Sequence, residues 1–301
     1  MEAVPKRHVA ARHVRDVGGA FVSATVAVAF VAGVVRMEGS QPPPRMKSLR
    51  ILVLAAVTLA AGLAAHAEQF KALLFSKTAG WHHDSINAGV TAIQQLAKLH
   101  DFDVFWTADA NRVFNDKELA KYKVVIFLCT TGDVLNDEQQ AAFERYIRAG
   151  GGYVGIHSAS DTEYDWPWYR KMVGYMFHIH PAVQTATLKV LDPNFPGMDR
   201  FAKRFLFTEE WYEFGAPEGS KLNVLLSVDE KTYKPYAKWG PKEGKGMGEL
   251  HPISWYHEYD GGRAFYTALG HLPGTYADAN FMHHVYGGIY WAATGNTFSA
   301  E

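Results

Sequence analysis

The sequence predicts an α/β protein: a mostly parallel central sheet between two layers of helices, a three-layer sandwich. Three observations carry this. Val124-Val-Ile-Phe-Leu-Cys129 is apolar at every position, as a parallel strand covered on both faces must be. Segments with a 3.6-residue period separate such runs. The order strand, helix, strand then repeats several times in the first part of the chain after residue 67, which is the order of a doubly wound sheet.

Taken in order, Phe70–Phe75 is the first strand. Residues 85–99 form a helix with Ile86, Val90, Ile93, Leu96 and Ala97 on one face, capped by Asp84 or Ser85. Residues 102–106 are the second strand and 124–129 the third, which places Cys129 in the core. Asn136 caps a helix over 137–149 whose apolar face is Ala141, Phe143, Tyr146 and Ile147, ended by Gly150-Gly-Gly. Residues 153–156 are the fourth strand. After His157 the pattern changes to strand-like runs at 185–190, 223–228, 252–256 and 264–269, without long helices between them. Asp260-Gly-Gly262 is a hairpin turn. Residues 231–248, rich in Gly, Lys and Pro, read as a flexible surface loop. An amphipathic helix over 279–293 closes the chain.

The 301 residues are 48% hydrophobic and 20% charged, with a formal net charge of −1. That balance hides a split. Residues 1–67 hold 8 Lys+Arg and 3 Asp+Glu, leaving 22 and 28 in 68–301, a net of −6, together with all 8 Trp and 11 of the 14 His. No basic patch for nucleic acid is expected from such a balance. One cysteine excludes a disulfide scaffold. Met46-Lys-Ser-Leu-Arg50, the apolar run from Ile51 to Leu63 and Ala65-His-Ala67 follow the order of a secretory signal peptide, shorter than the about 20 apolar residues of a membrane span. An uncleaved anchor is the other reading. Residues 1–45 precede the natural start of that signal and read as an upstream mis-called start. The expectation is an exported, periplasmic or secreted domain over 68–301, free of the membrane after cleavage.

Ligands of open α/β sheets sit beyond the carboxyl ends of the strands. The first strand runs into Trp81-His82-His83-Asp84, the fourth into His157-Ser158, and the last into Gly270-His271. Three of these ends therefore carry imidazole, the side chain suited to acid/base work near neutral pH. His157 follows the strand directly, as at a nucleophile elbow, where its ring is pushed into the crevice. Ser158 beside it would point elsewhere. His180-Pro and His251-Pro are held extended by their prolines and line a pocket or a turn. His178 and His180, two apart, share one face of a strand. His283 and His284 fall on the surface of the closing helix. Asp161-Thr-Glu-Tyr-Asp-Trp166-Pro-Trp168-Tyr and Glu209-Glu210-Trp211-Tyr-Glu combine aromatic faces with carboxylates, a composition that suits a sugar or, equally, an aromatic core with an acidic edge. A catalytic zinc on His157, His251 or His271 is a second reading of the imidazoles. No G-x-G-x-x-G follows the first strand and no G-x-S-x-G elbow exists.

These stretches, with Lys77-Thr-Ala-Gly-Trp-His-His-Asp-Ser-Ile86, Gly150-Gly-Gly-Tyr-Val-Gly-Ile-His157, His251-Pro-Ile-Ser-Trp255 and Gly261-Gly-Arg-Ala-Phe-Tyr-Thr-Ala-Leu-Gly-His271, resemble the ThuA-like, or trehalose utilisation, family over residues 70 to 293. The resemblance implies a flavodoxin-like, class I glutamine amidotransferase-like fold. It also shows what is lost. His157 replaces the elbow cysteine of those amidotransferases, and no Glu follows His271, so a thiolate mechanism is not expected. The family implies a role in disaccharide catabolism on 3-keto-sugars made by a partner dehydrogenase.

The expected function is His-based acid/base chemistry on a disaccharide or 3-keto-glycoside, by isomerisation, elimination or hydrolysis. His157, His271, His83 and Asp161 are the candidate catalytic groups; Trp81, Asp84, Trp166, Trp168, His180, Glu210, Trp211 and His251 are the candidate substrate contacts. A non-catalytic periplasmic sugar-binding protein is the alternative. A glycosidase with paired carboxylates is a third. No cofactor is assigned; a divalent metal such as zinc is admitted, and so is a homodimer.

Overall fold

The computed structural model describes residues 68–218 and 221–298; the export segment read in 1–67 lies outside them. Within them the strands are β1 (Lys71–Phe75), β2 (Asp103–Thr107), β3 (Val124–Leu128), β4 (Gly152–Ile156), β5 (Phe177–Ile179), β6 (Gln184–Val190), β7 (Arg204–Glu209), β8 (Glu213–Phe214), β9 (Asn223–Val228), β10 (Ala237–Trp239), β11 (Lys242–Gly244), β12 (Pro252–Tyr259) and β13 (Gly262–Thr267). The α-helices are α1 (Ile86–Leu99), α2 (Ala110–Val113), α3 (Asp116–Leu119), α4 (Asp137–Arg148), α5 (Pro167–Val173) and α6 (Ala279–Thr294). None of these helices is long and apolar enough to cross a membrane.

Nine strands make one sheet in the order β2-β1-β3-β4-β13-β12-β9-β6-β7. The expectation of a mostly parallel sheet is corrected here. The β2-β1-β3-β4-β13 half is parallel, and every pairing from β13 to β7 is antiparallel. The reason lies in the connections. Parallel neighbours need long crossovers, whereas β12 and β13 are joined by the two-residue turn Asp260-Gly261, with φ 47° and 90°, the left-handed pair of a type I′ hairpin. The edge strand β7 and the short helix α5 carry no strong sequence signal and were not expected. Two one-turn helices, α2 and α3, make the crossover between β2 and β3.

Helices cover both faces of the parallel half. Tyr153 and Gly152 are neighbours on β4 and so face opposite ways. The Tyr153 ring meets Phe143 of α4 and Tyr169 of α5. A Cβ at Gly152 would meet the Ala292 carbonyl of α6 instead. β3 and β4 are buried at every position. Asn136 forms the expected cap of α4, a reciprocal capping box with Gln139, and it is Ala142 rather than Ala141 that faces inward. Ser85 sits at the N-cap position of α1 but does not cap it. Its hydroxyl donates to the Gly270 carbonyl at 2.8 Å, tying α1 to the exit of β13.

The stretch read as a flexible loop, 231–248, is ordered. β10 and β11 pair in it, and carboxylates clamp its end: Glu213 accepts from the Gly246 amide and Glu230 from those of Met247 and Gly248.

Candidate functional site

A cavity of about 390 Å³ opens at the carboxyl ends of the parallel strands, lined by Trp81, His83, Asp161, Phe177, His180, Glu210, Tyr212, Trp239 and His271. Its imidazoles enter from strand exits. β1 leads through residues 76–82 to His83. β4 ends at Ile156, and His157 takes φ 54°, a left-handed backbone that is costly for a side chain with a Cβ. Two bonds hold it there. The Tyr266 hydroxyl donates to the His157 carbonyl at 2.6 Å, and His157 Nδ1–H donates to the Ala268 carbonyl at 2.8 Å. A carbonyl only accepts, so in the neutral ring the lone pair lies on Nε2, facing the cavity floor.

There Nε2 is 2.9 Å from the Tyr212 hydroxyl, 3.1 Å from His83 Nε2 and 3.6 Å from Glu210 Oε2. His271 Nδ1 is 3.1 Å from Glu210 Oε2 and His180 Nδ1 is 3.1 Å from Glu210 Oε1. The ring centres of His157 and His271 are 5.3 Å apart. Glu210 is thus the hub. Burial pushes its carboxyl upward, but the imidazoles of His157 and His271 outweigh this and hold it well below the usual carboxylate range. His83 is pushed down to about 3 by burial, then by its neighbours His157 and His271, so it is neutral. Burial lowers His271, yet Glu210 wins and its pKa is raised. Burial wins at His180, lowering it. Asp161, on the cavity wall, is raised by burial against the hydrogen bond from Tyr164.

A buried carboxylate braces this floor. Glu209 Oε1 accepts from the amides of Gly270 and His271 and from the Thr275 hydroxyl, and Oε2 from the Glu210 amide. It fixes the two residues that meet at the hub.

The structure brings together His157, His271, His83, Asp161, Trp81, His180 and Glu210. The other expected contacts lie elsewhere. Asp84 is exposed and does not line the cavity. Trp166 and Trp168 stack on each other and bond to Glu144 and Asp260, packing α5 against α4 and the β12–β13 turn. Trp211 is buried and donates to the Gln184 carbonyl. His251 sits behind the floor between Glu230 and the Tyr212 carbonyl, so it is no part of a zinc set with His157 and His271. Amphiphilic indoles near carboxylates serve the core as readily as a sugar, and composition does not separate the two. His178 bonds to the Glu243 carbonyl away from His180. His284 is fully buried against Ser254, not on the surface, and His283 pairs with Asp199. Ser158 does not point away: its Oγ is 3.3 Å from His83 Nδ1. Tyr212, Phe177 and Trp239 were missed as cavity residues. Tyr212 follows Glu210 by two, and that spacing was the available signal.

Cys129 is buried on another exit, at φ 49°, and does not line the cavity. Burial pushes its thiol up to about 12.

An α/β domain with a His and carboxylate cluster over its strand ends is the class that fold and site define. The family model for ThuA, described as trehalose utilisation, matches residues 71–292, and the chain belongs to that family. Solved structures agree in fold. A ThuA-like protein from Bacteroides uniformis is 23% identical with a TM-score of 0.62, covering 76% of this chain and 93% of its own. One from Parabacteroides merdae is 19% identical with a TM-score of 0.62, covering 77% and 92%. No curated protein matches.

Proposed function

We propose that the protein is an enzyme of carbohydrate breakdown that acts on a disaccharide or 3-keto-glycoside by acid/base chemistry in this cavity. The observation that carries the reading is the convergence of three imidazoles, those of His157, His180 and His271, on one ionised, buried carboxylate, Glu210, with His83 beside His157, at the foot of a pocket with aromatic walls. Trp81, Phe177 and Trp239 offer flat faces on which the CH surface of a sugar stacks. Neutral and charged groups then meet its oxygens. Next to a ketone the α-proton is acidic enough for a positioned base, and loss of that proton permits isomerisation or elimination of the glycosidic group. Asp161, a cavity-wall carboxyl whose pKa burial raises, is the group we assign to take or return the proton.

His157 stands at the elbow where amidotransferases of class I carry cysteine, and we extend the likeness to that fold. The mechanism does not extend with it, since Cys129 is neither in the cavity nor ionised near neutral pH. Export by residues 46–67, and supply of the keto-sugar by a dehydrogenase, belong to the same proposal.

The test is incubation of the protein with 3-keto-trehalose and with trehalose, reading products by mass spectrometry. Turnover of the keto-sugar, reduced about 100-fold or more in Asp161→Asn, supports the reading. Tight binding of unmodified trehalose with no product on long incubation would replace it with a sugar-binding role.

A further inference from the structure

We propose that His83, His157, Glu210 and His271 form a binding site for one divalent transition-metal ion of the zinc class. One donor atom from each lies within 4.8 Å of the other three. The closest separations are 3.1 Å between His83 and His157 Nε2, 3.1 Å between His271 Nδ1 and Glu210, and 3.6 Å between His157 Nε2 and Glu210. Ligands at about 2.0–2.1 Å from a tetrahedral zinc are themselves separated by about 3.3 Å, so a small closure of the four completes the shell.

Three features of the surroundings suit a cation. His157 has its outer nitrogen committed to the Ala268 carbonyl, which leaves Nε2 as a lone-pair donor aimed inward. His83 has the Ser158 hydroxyl on its outer nitrogen, so the same arrangement is open to it. Such outward bonds are how ligating imidazoles are oriented. Between the neutral rings the proton is the positive partner, His83 Nε2–H donating to the His157 lone pair at 3.1 Å; a metal ion would take the place of that proton with His83 in its other tautomer. The third feature is His271 Nδ1. It is buried and, among the described residues, has no hydrogen-bond partner: Glu210 is close, but the ring N–H axis is not aimed at it. It faces the centre of the group.

The chemistry of the donors sets the ion. Imidazole with one carboxylate and no thiolate suits Zn²⁺, with Co²⁺ and Mn²⁺ as spectroscopic or weaker substitutes. Glu210 is ionised and supplies the one negative charge. Binding displaces the Tyr212 hydroxyl from His157 Nε2, and the tyrosine, whose pKa is raised by burial, stays neutral as a hydrogen-bond donor. His83, Glu210 and His271 all line the cavity, so a bound ion faces it. The ion's part in turnover rests on the reading above: it would polarise a sugar oxygen, and proton transfer would stay with Asp161. Its binding does not depend on that reading.

The test uses untagged full-length protein, with metal content by mass spectrometry and Zn²⁺ titration by calorimetry after chelator treatment, and Co²⁺ absorption as the signature of nitrogen ligation. One equivalent per chain with a Co²⁺ spectrum of low symmetry is expected. Glu210→Gln and His271→Ala should each weaken binding by about 10- to 100-fold or more, whereas exposed His82→Ala should leave it unchanged. Circular dichroism confirms that each variant is folded. Failure of the folded wild-type chain to bind Zn²⁺, Co²⁺ or Mn²⁺ overturns the proposal, as does stoichiometric binding that Glu210→Gln and His271→Ala do not weaken. Metal binding without sugar turnover keeps the site and sinks the sugar reading; turnover in metal-free protein keeps the sugar reading and removes only the ion's part in it.

Discussion

Glu209 shows how much a site depends on a residue that never meets its contents. Its Oε1 takes three donors and its Oε2 a fourth, all from the segments that carry Glu210 and His271. Replacing it by Gln keeps the shape but puts an NH₂ where an acceptor is required. At least one buried amide then loses its partner, at a cost of about 1–3 kcal/mol. Urea denaturation of Glu209→Gln should show a lower midpoint at unchanged slope; an unchanged midpoint would remove Glu209 from this bracing role. In the sequence Glu209 and Glu210 are indistinguishable acidic neighbours. One becomes the brace and the other the hub because successive side chains on an extended chain face opposite ways. His157, His271 and His83 were legible because strand ends can be counted along the chain. Glu210 was legible only as a sugar contact, since its three imidazole partners come from the β4, β5 and β13 exits, far apart in sequence.

Elements differ in how their making is written. The helix α4 is local: the Asn136 cap, the apolar period and the glycines that end it were all readable, and Asn136→Ala should lower stability by about 1 kcal/mol. The helix α6 depends on what it rests upon. Gly287 lies on the Pro196–Gly197 backbone, and a Cβ there would stand 2.0 Å from the Pro196 carbonyl oxygen. Alanine favours a helix over glycine by about 1 kcal/mol, but collision with main chain costs more. Gly287→Ala should therefore lower Tm by about 4 °C or more, and a raised Tm would show that 195–197 yields freely. Nothing local announces that clash, just as nothing local announced β7, whose exposed and half-buried residues alternate on an edge and whose Leu206 is 71% exposed. The tryptophans of 166–168 misled for the same reason: packing partners on α4 and the hairpin decide their use.

At the scale of the whole molecule, acid sensitivity has an identifiable source outside the cavity. His284 is sealed between the sheet and α6, bonded to Ser254, with Phe201 and Phe265 against its ring. Burial, then the neighbouring His283, pushes its pKa down to about 3. The unfolded chain binds a proton there from about pH 6.5 downward and the folded chain does not. The stability it contributes is thus complete above about pH 6.5 and falls as pH drops toward 3, by about 1.4 kcal/mol per pH unit. His284→Gln should flatten the pH dependence of Tm between pH 6.5 and 4; an equally steep profile would place the sensitivity elsewhere.

The floor of the cavity also has a consequence in time. Its four central side chains come from both halves of the mixed sheet, and His83 meets His157 across 74 positions of chain. Contacts so distant close only after the intervening loops have paid their entropy, which makes them late events in refolding. A refolding chain should regain its far-ultraviolet dichroism before it can capture an ion or a sugar. On a ribosome that capture must wait at least until His271, the last of the four along the chain, has been synthesised.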